Sequence, residues 1–184
     1  MFKVFLAWTL ALSFSVAYCQ DVKKEAKTAE TKMEAFVSKT GVVIKFIDYN
    51  LDNLRLSYGD MAVTRIRKLS NGADSKFFYQ IEKSGQYDNS TASIEYSDLL
   101  EVIKAIQTLK SDVDKDISSN PDYLENKFVT EDGFQIGYFV SKGKVNWYLK
   151  LERYGPKNTI FLKDGDNIDV AFNNAKLKIQ ELKK

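Results

Sequence analysis

Short runs of apolar and β-branched residues, separated by Gly, Asn, Asp, Ser and Pro, dominate the chain from residue 41 onward. Runs of this length with turn residues between them are typical of antiparallel strands. In the first half, strands are predicted at 42–47, 61–69, 76–83 and 91–96. In the second half, strands are predicted at 127–130, 134–141, 145–153 and 159–163.

Each set of strands precedes a segment in which apolar residues recur every three or four positions, the period of one helix face. Ser97 is the predicted N-cap of the first helix and Asp166 that of the second. Asp169 is placed to support the second cap from the first turn. The apolar faces consist of Leu99, Val102, Ile103, Ile106, Leu109 and Val113 in the first helix, and Ile168, Phe172, Ala175, Ile179 and Leu182 in the second.

The two halves follow the same plan. Residues 77–82 match 147–152 at an offset of 70, with apolar residues at the first, third and fifth positions of both segments. The sequence therefore predicts an α+β protein of two tandem units, each with four antiparallel strands and a helix (ββββα twice), as pseudo-repeats at about 41–117 and 122–184. Since neither unit covers its own apolar sheet face, both are expected to pack as one domain over 36–184.

Strand alternation predicts which side chains face the shared core, because successive residues point to opposite faces of a sheet. Tyr148 is out of phase with Trp147 and Leu149, so its ring is expected on the other face. The predicted core consists of Phe77, Tyr79, Ile81, Trp147, Leu149 and Leu151 from the strands, with Ile103, Ile106, Phe172 and Ile179 from the helices.

The first 19 residues have the features of a cleavable export signal. Residues 1–3 form a short basic start, and a mostly apolar run follows at 4–16. Ala17 and Cys19 then place small residues at the −3 and −1 positions of a signal-peptidase site. We therefore predict a signal peptide at 1–19, cleavage near Cys19/Gln20, and export to the periplasm or the exterior.

Cys19 is the only cysteine of the chain, and the predicted cleavage removes it. The bulky Tyr18 before it disfavours the alternative that Cys19 is the acylated first residue of a lipoprotein. A cysteine-free mature chain has no disulfide, so its stability has to come from core packing. Residues 20–35 are rich in Lys and Glu with a thin apolar stripe, which predicts a polar leader or loosely docked helix.

The composition excludes several chemistries. The chain has no histidine, and without mature cysteine it cannot form Ser-His-Asp sites, Cys-His sites or Cys/His zinc sites. No catalytic residue, metal site or cofactor is therefore predicted. The net charge is +2, and it falls to +1 when Lys3 is removed with the signal peptide. A net charge this close to zero argues against electrostatic binding of nucleic acid.

Two polar segments and a set of acidic residues are candidates for chemistry. The segment 164–169 suggests a calcium loop, but Ile168 and Asp169 stand where an EF-hand has Asp/Asn and Gly, so a turn and helix cap are favoured. Arg65 and Arg67 share one strand face, which predicts a solvated face rather than a base-stacking surface. A hydrolase would need two acidic residues that face each other across a cleft. The candidates for such a pair include Glu82, Glu95, Asp98, Glu131, Asp132 and Glu152.

Absence of His, Cys and phosphate-binding loops favours a non-catalytic exported module that binds a protein, glycan or small ligand, with envelope or extracellular partners. Tyr138 and Tyr148 are the candidate ligand-binding residues, on a sheet face or at the seam between the halves. One alternative is a carboxylate-based hydrolase of envelope or extracellular polysaccharide. Another follows from topology, because the tandem strand-and-helix plan resembles the plant Whirly-type fold, which implies single-stranded nucleic-acid binding.

Overall fold

The computed structural model describes residues 30–72, 74–85, 89–155 and 157–184. The predicted signal peptide at 1–19 and residues 20–29 of the predicted leader lie outside this part. The chain is an α+β protein with two antiparallel sheets and helices, as the sequence predicts. Among the helices described, none has the length and apolar character needed to span a membrane.

The first sheet has five strands where four were expected. It runs in the order β1-β3-β4-β5, and the two-residue strand β2 adds to β3. The predicted run at 42–47 is shifted, since pairing with β3 begins only at Lys45, and Val43 before it is 89% exposed. The strands are β1 (Lys45–Asn50), β2 (Leu54–Arg55), β3 (Met61–Ser70), β4 (Ser75–Lys83) and β5 (Ser90–Glu95).

The second sheet is a four-stranded meander in chain order. Its first strand begins four residues before the predicted 127, and its third ends at Lys150 rather than at residue 153. Lys142 and Gly143 both have positive φ, as a two-residue hairpin turn requires. The strands are β6 (Tyr123–Val129), β7 (Gln135–Ser141), β8 (Lys144–Lys150) and β9 (Thr159–Leu162).

The described helices are α1 (Lys32–Val37), α2 (Tyr96–Ser118) and α3 (Gly165–Leu182). Both predicted N-caps are wrong. Helix α2 starts directly after β5, so Glu95 is its cap residue and Ser97 lies in the first turn. The N-cap of α3 is Asp164, which accepts a hydrogen bond from the Asn167 backbone N–H at 2.8 Å.

The core lies between the two sheets, and each long helix contacts both. Helix α2 packs on β6, β7 and β8 as well as on β4 and β5, while α3 packs on β2, β3 and β9. Tyr79 of β4 meets Phe172 of α3 edge-on, with ring centroids 5.1 Å apart. The predicted core residues are buried except Ile103, which is only partly buried. Burial across both halves makes them one packing unit.

Helix α1 packs on part of the outer face of the first sheet. Its Phe36 is buried against Leu69 and Phe78, which point away from the main core. The Lys32 ammonium reaches Asp98 at the start of α2, 2.5 Å away. The Lys32 backbone N–H also donates to the Asp132 carboxylate. The end of the predicted leader is therefore a docked helix.

Candidate functional site

The outer face of the second sheet is an exposed surface with aromatic side chains. Helices α2 and α3 pack on the opposite side, where Tyr138 reaches Asp116 of α2 and Trp147 lies against the position of Gly165 in α3. Tyr123 is 61% exposed and Phe161 is 37% exposed. We call this outward side of β6–β9 the aromatic face. Its outward residues are Tyr123, Glu125, Lys127 and Val129 on β6, Gln135, Gly137, Phe139 and Ser141 on β7, Lys144, Asn146, Tyr148 and Lys150 on β8, and Thr159 and Phe161 on β9.

Three rings form a continuous strip across the aromatic face. Tyr123 and Phe139 are stacked with centroids 6.0 Å apart and planes 25° apart. Phe139 then meets Phe161 edge-on at 6.4 Å. Both spacings lie in the range in which aromatic rings attract one another. The strip therefore holds a fixed shape from β6 to β9 while its outer side remains open to a ligand.

Tyr148 points to the aromatic face, opposite in direction to Trp147. Its hydroxyl donates to Glu125 on β6, 2.5 Å away, so the side chain crosses β7. The β7 residue opposite Tyr148 is Gly137, where a Cβ atom would collide with the Asn126 carbonyl oxygen of β6. Burial and the Glu125 carboxylate raise the pKa of Tyr148, while the Tyr148 hydrogen bond lowers the pKa of Glu125. Only 6% of Tyr148 is exposed, so its side chain packs within the aromatic face and offers little surface to a ligand.

Tyr138 lies on the inner side of the second sheet. It is fully buried, its hydroxyl donates to Asp116 at 2.6 Å, and it accepts from the Asn126 amide at 3.0 Å. Burial and Asp116 raise the pKa of Tyr138 to about 12. The structure therefore separates the two candidate tyrosines onto opposite faces. Phe139, the next residue, occupies the outward position, and strand alternation relative to Tyr138 was the signal that could have identified it.

The basic stretch at 65–68 is already engaged within the first sheet. Arg65 and Arg67 share a face, as predicted. Arg67 binds Asp48 through two hydrogen bonds of 2.7 and 2.6 Å, and Arg65 binds Glu82 at 2.6 Å. Arg65 also donates to Gln80, so the charges of both arginines are compensated within the sheet.

The acidic candidates also have structural partners. A cleft of about 490 Å³ beside α1 is lined in part by Glu34, Asp132 and Glu152. Each of these carboxylates accepts a backbone N–H, and burial raises the pKa of Asp132. Glu152 receives its hydrogen bond from Thr91 of β5, and so joins the two halves of the chain.

The segment 164–169 is likewise engaged in local contacts. Asp164 caps α3, while Asp166 and Asp169 bind the Lys110 ammonium of α2 at 2.7 and 3.0 Å. In the part of the chain that the structure describes, no three Cys, Asp or Glu residues are grouped as a metal site would require. The observed contacts are those of a helix cap and a bridge between helices.

The aromatic face is thus the candidate functional site, since Tyr123 and Phe161 present exposed ring surface, whereas the charged groups of the other candidates are engaged within the protein. In comparisons with known proteins, no protein-family model, no curated protein and no solved structure matches this chain.

Proposed function

We propose that this protein is an exported, non-catalytic binding module that holds a glycan chain on its aromatic face. The observation that carries the proposal is the strip of Tyr123, Phe139 and Phe161, which is ordered by ring contacts and open to solvent. Large exposed apolar surface is uncommon on a protein without a binding partner. Export is supported by the signal-like residues 1–19.

A glycan fits the mixture of groups on this face. The C–H faces of sugar rings pack on aromatic side chains, and sugar hydroxyls need donors and acceptors nearby. Gln135, Ser141 and Asn146 lie on the same face and supply amide and hydroxyl groups. Ligand sites in general combine apolar contact with a few polar groups that fix orientation.

The alternative of a polysaccharide hydrolase is supported by the cleft beside α1, where Asp132 has a raised pKa. A raised pKa suits a general acid. Against this, Glu34, Asp132 and Glu152 each accept a backbone hydrogen bond, which gives each carboxylate a structural role. We therefore favour binding without turnover.

We also infer that the two halves are copies of one ββββα unit. In support, β1, β3, β4 and β5 form a meander followed by α2, and β6–β9 form a meander followed by α3. On this view the two-residue β2 is an insertion into the first copy. The aromatic face would then be a specialisation of the second copy, since α1 packs on part of the equivalent face of the first.

The binding proposal is tested by titrating purified protein, from residue 20 onward, with soluble polysaccharides in a calorimeter. Tyr123→Ala and Phe161→Ala are expected to weaken binding about tenfold or more each, which is about 1.4 kcal/mol. Phe46→Ala is the matched control, because Phe46 is 51% exposed on the other sheet. Binding unchanged in both aromatic-face variants would refute the proposed site, and release of reducing ends would establish the hydrolase instead.

Export is tested separately by the intact mass of the protein from its native host. We expect a chain that starts at Gln20 or within a few residues of it. A retained Met1, or a diacylglyceryl mass on Cys19, would contradict the predicted processing.

A further inference from the structure

We infer that the glycan bound by the aromatic face is acidic, carrying carboxylate or sulfate groups along its length. This inference rests on the proposed function and adds the charge of the ligand to it. It is carried by the lysines that share the aromatic face with the ring strip.

The aromatic face has an excess of positive charge although the whole chain is nearly neutral. Three lysines, Lys127, Lys144 and Lys150, point outward from its strands, against a single acid, Glu125. No carboxylate within the described ranges lies in ion-pair distance of Lys144 or Lys150. The two ammonium groups are therefore available to an anionic ligand.

The one acidic group on the face is already compensated. Glu125 accepts the Tyr148 hydroxyl at 2.5 Å and lies 3.5 Å from the Lys127 ammonium. Both contacts lower the pKa of Glu125, because they favour its ionised form. The negative charge of Glu125 is therefore balanced by Lys127. The remaining charges on the aromatic face are those of Lys144 and Lys150, which make its potential positive.

The positions of the lysines suit a polymer better than a single small anion. Lys144 and Lys150 are six residues apart on β8, which is about 20 Å at ~3.4 Å per residue. Asn146 and Tyr148 lie between them on the same face. A small anion would contact one ammonium group at most, whereas a chain with repeated acidic groups would contact both and cross the ring strip.

The first sheet shows the contrasting arrangement. Its outer-face Arg65 and Arg67 are paired with Glu82 and Asp48, and α1 covers the part of that face around Leu69 and Phe78. The positive charge of these two arginines is therefore matched within the protein, whereas that of Lys144 and Lys150 is not matched within the described residues. Unpaired positive charge beside exposed rings favours an anionic ligand on the aromatic face.

Single-stranded nucleic acid is also a polyanion that stacks on aromatic side chains. An acidic glycan is favoured because the export signal predicts contact with envelope or extracellular polymers.

The experiment compares polygalacturonate with its fully methyl-esterified form, and dextran sulfate with dextran, so that only charge differs within each pair. We expect the charged member to bind at least about tenfold more tightly, or about 1.4 kcal/mol. This preference should shrink as salt rises from 0.1 to 1 M, because the screening length falls from about 10 to about 3 Å.

The combined variant Lys144→Gln/Lys150→Gln should lose the preference for charged polymer and retain affinity for the neutral one. Lys104→Gln, at an exposed lysine of α2, is the matched control and should behave as the parent. Equal, salt-independent affinity for both members of each pair would overturn the acidic-ligand inference and leave glycan binding intact. Absence of binding to all four polymers would overturn both, and tighter binding of oligodeoxythymidylate at equal salt would identify a nucleic-acid ligand instead.

Discussion

The hydroxyl of Tyr148 on β8 is hydrogen-bonded to Glu125 on β6, 2.5 Å away, across the intervening strand β7. The contact ties three strands of the second sheet together on the aromatic face. Gly137 of β7 lies opposite Tyr148, and a Cβ atom there would collide with the Asn126 carbonyl oxygen of β6. The close approach of β6 and β7 beside this contact therefore requires glycine.

We expect Gly137→Ala to lower the free energy of unfolding by about 1–3 kcal/mol, the usual cost of forcing atoms into a packed region. A Cβ atom at Gly137 would collide with the Asn126 carbonyl oxygen and crowd the Cβ of Lys127. Urea denaturation measures the change. Gly143→Asn is the control, since that position has open space and a positive φ that Asn tolerates. Equal stability of parent and Gly137→Ala would contradict the close packing at β6 and β7.

Tyr148→Phe is expected to lower the free energy of unfolding by about 1 kcal/mol at pH 7, through loss of a hydrogen bond to a charged group at a partly exposed site. Since this bond lowers the folded-state pKa of Glu125, its stabilisation is present above the ordinary Glu pKa of about 4.3. The stabilisation is lost as the pH falls through the lowered value.

The difference in free energy of unfolding between Tyr148→Phe and the parent should therefore decrease as the pH falls below about 4. Chemical denaturation at a series of pH values measures it, and Tyr154→Phe, at a residue 64% exposed, serves as the control. A difference that stays constant down to pH 2 would show that Glu125 is not the group involved.

Phe172→Ala should lower the free energy of unfolding by about 3–5 kcal/mol, because the ring is fully buried between Tyr79 and Phe134. Ile103→Ala should cost less, about 1–2 kcal/mol, since Ile103 is only partly buried. Val170→Ala, on an exposed part of α3, should change stability by less than about 0.5 kcal/mol. Thermal or urea unfolding ranks the three, and a different order would mean that α3 presents another face to the core.

Lys32→Met is expected to lower the free energy of unfolding by about 1–3 kcal/mol, because it leaves the Asp98 carboxylate buried without its cation. Adding Asp98→Asn should recover part of that loss. Lys39→Met is the control, since its ion pair with Asp74 is exposed. Amide hydrogen exchange over 32–37 should rise in Lys32→Met and stay low in the control. Unchanged exchange in all variants would show that Phe36 alone holds α1.

Within the described residues, the local pattern of the sequence determined the α+β class, eight of the nine strands, both long helices and nearly all of the predicted core. These features depend on periodicity within a segment, so neighbouring residues suffice to specify them. Strand β2 was missed because two residues carry no period. The N-cap of α2 was misplaced because β5 runs directly into the helix, so Glu95 takes the cap position without a side-chain cap. That of α3 was misplaced because Asp164, Asp166 and Asn167 lie close together, and local preference does not choose among them.

Only the tertiary structure decided where the candidate site lies. Alternation placed Tyr148 opposite to Trp147, but it could not show that α1 would pack on the outer face of the first sheet, or that Tyr138 would face α2. The pairing of Gly137 with Tyr148, and the ring strip from Tyr123 to Phe161, depend on register between strands. Register follows from the fit of all faces at once, so it is a property of the assembled sheets and not of any one segment.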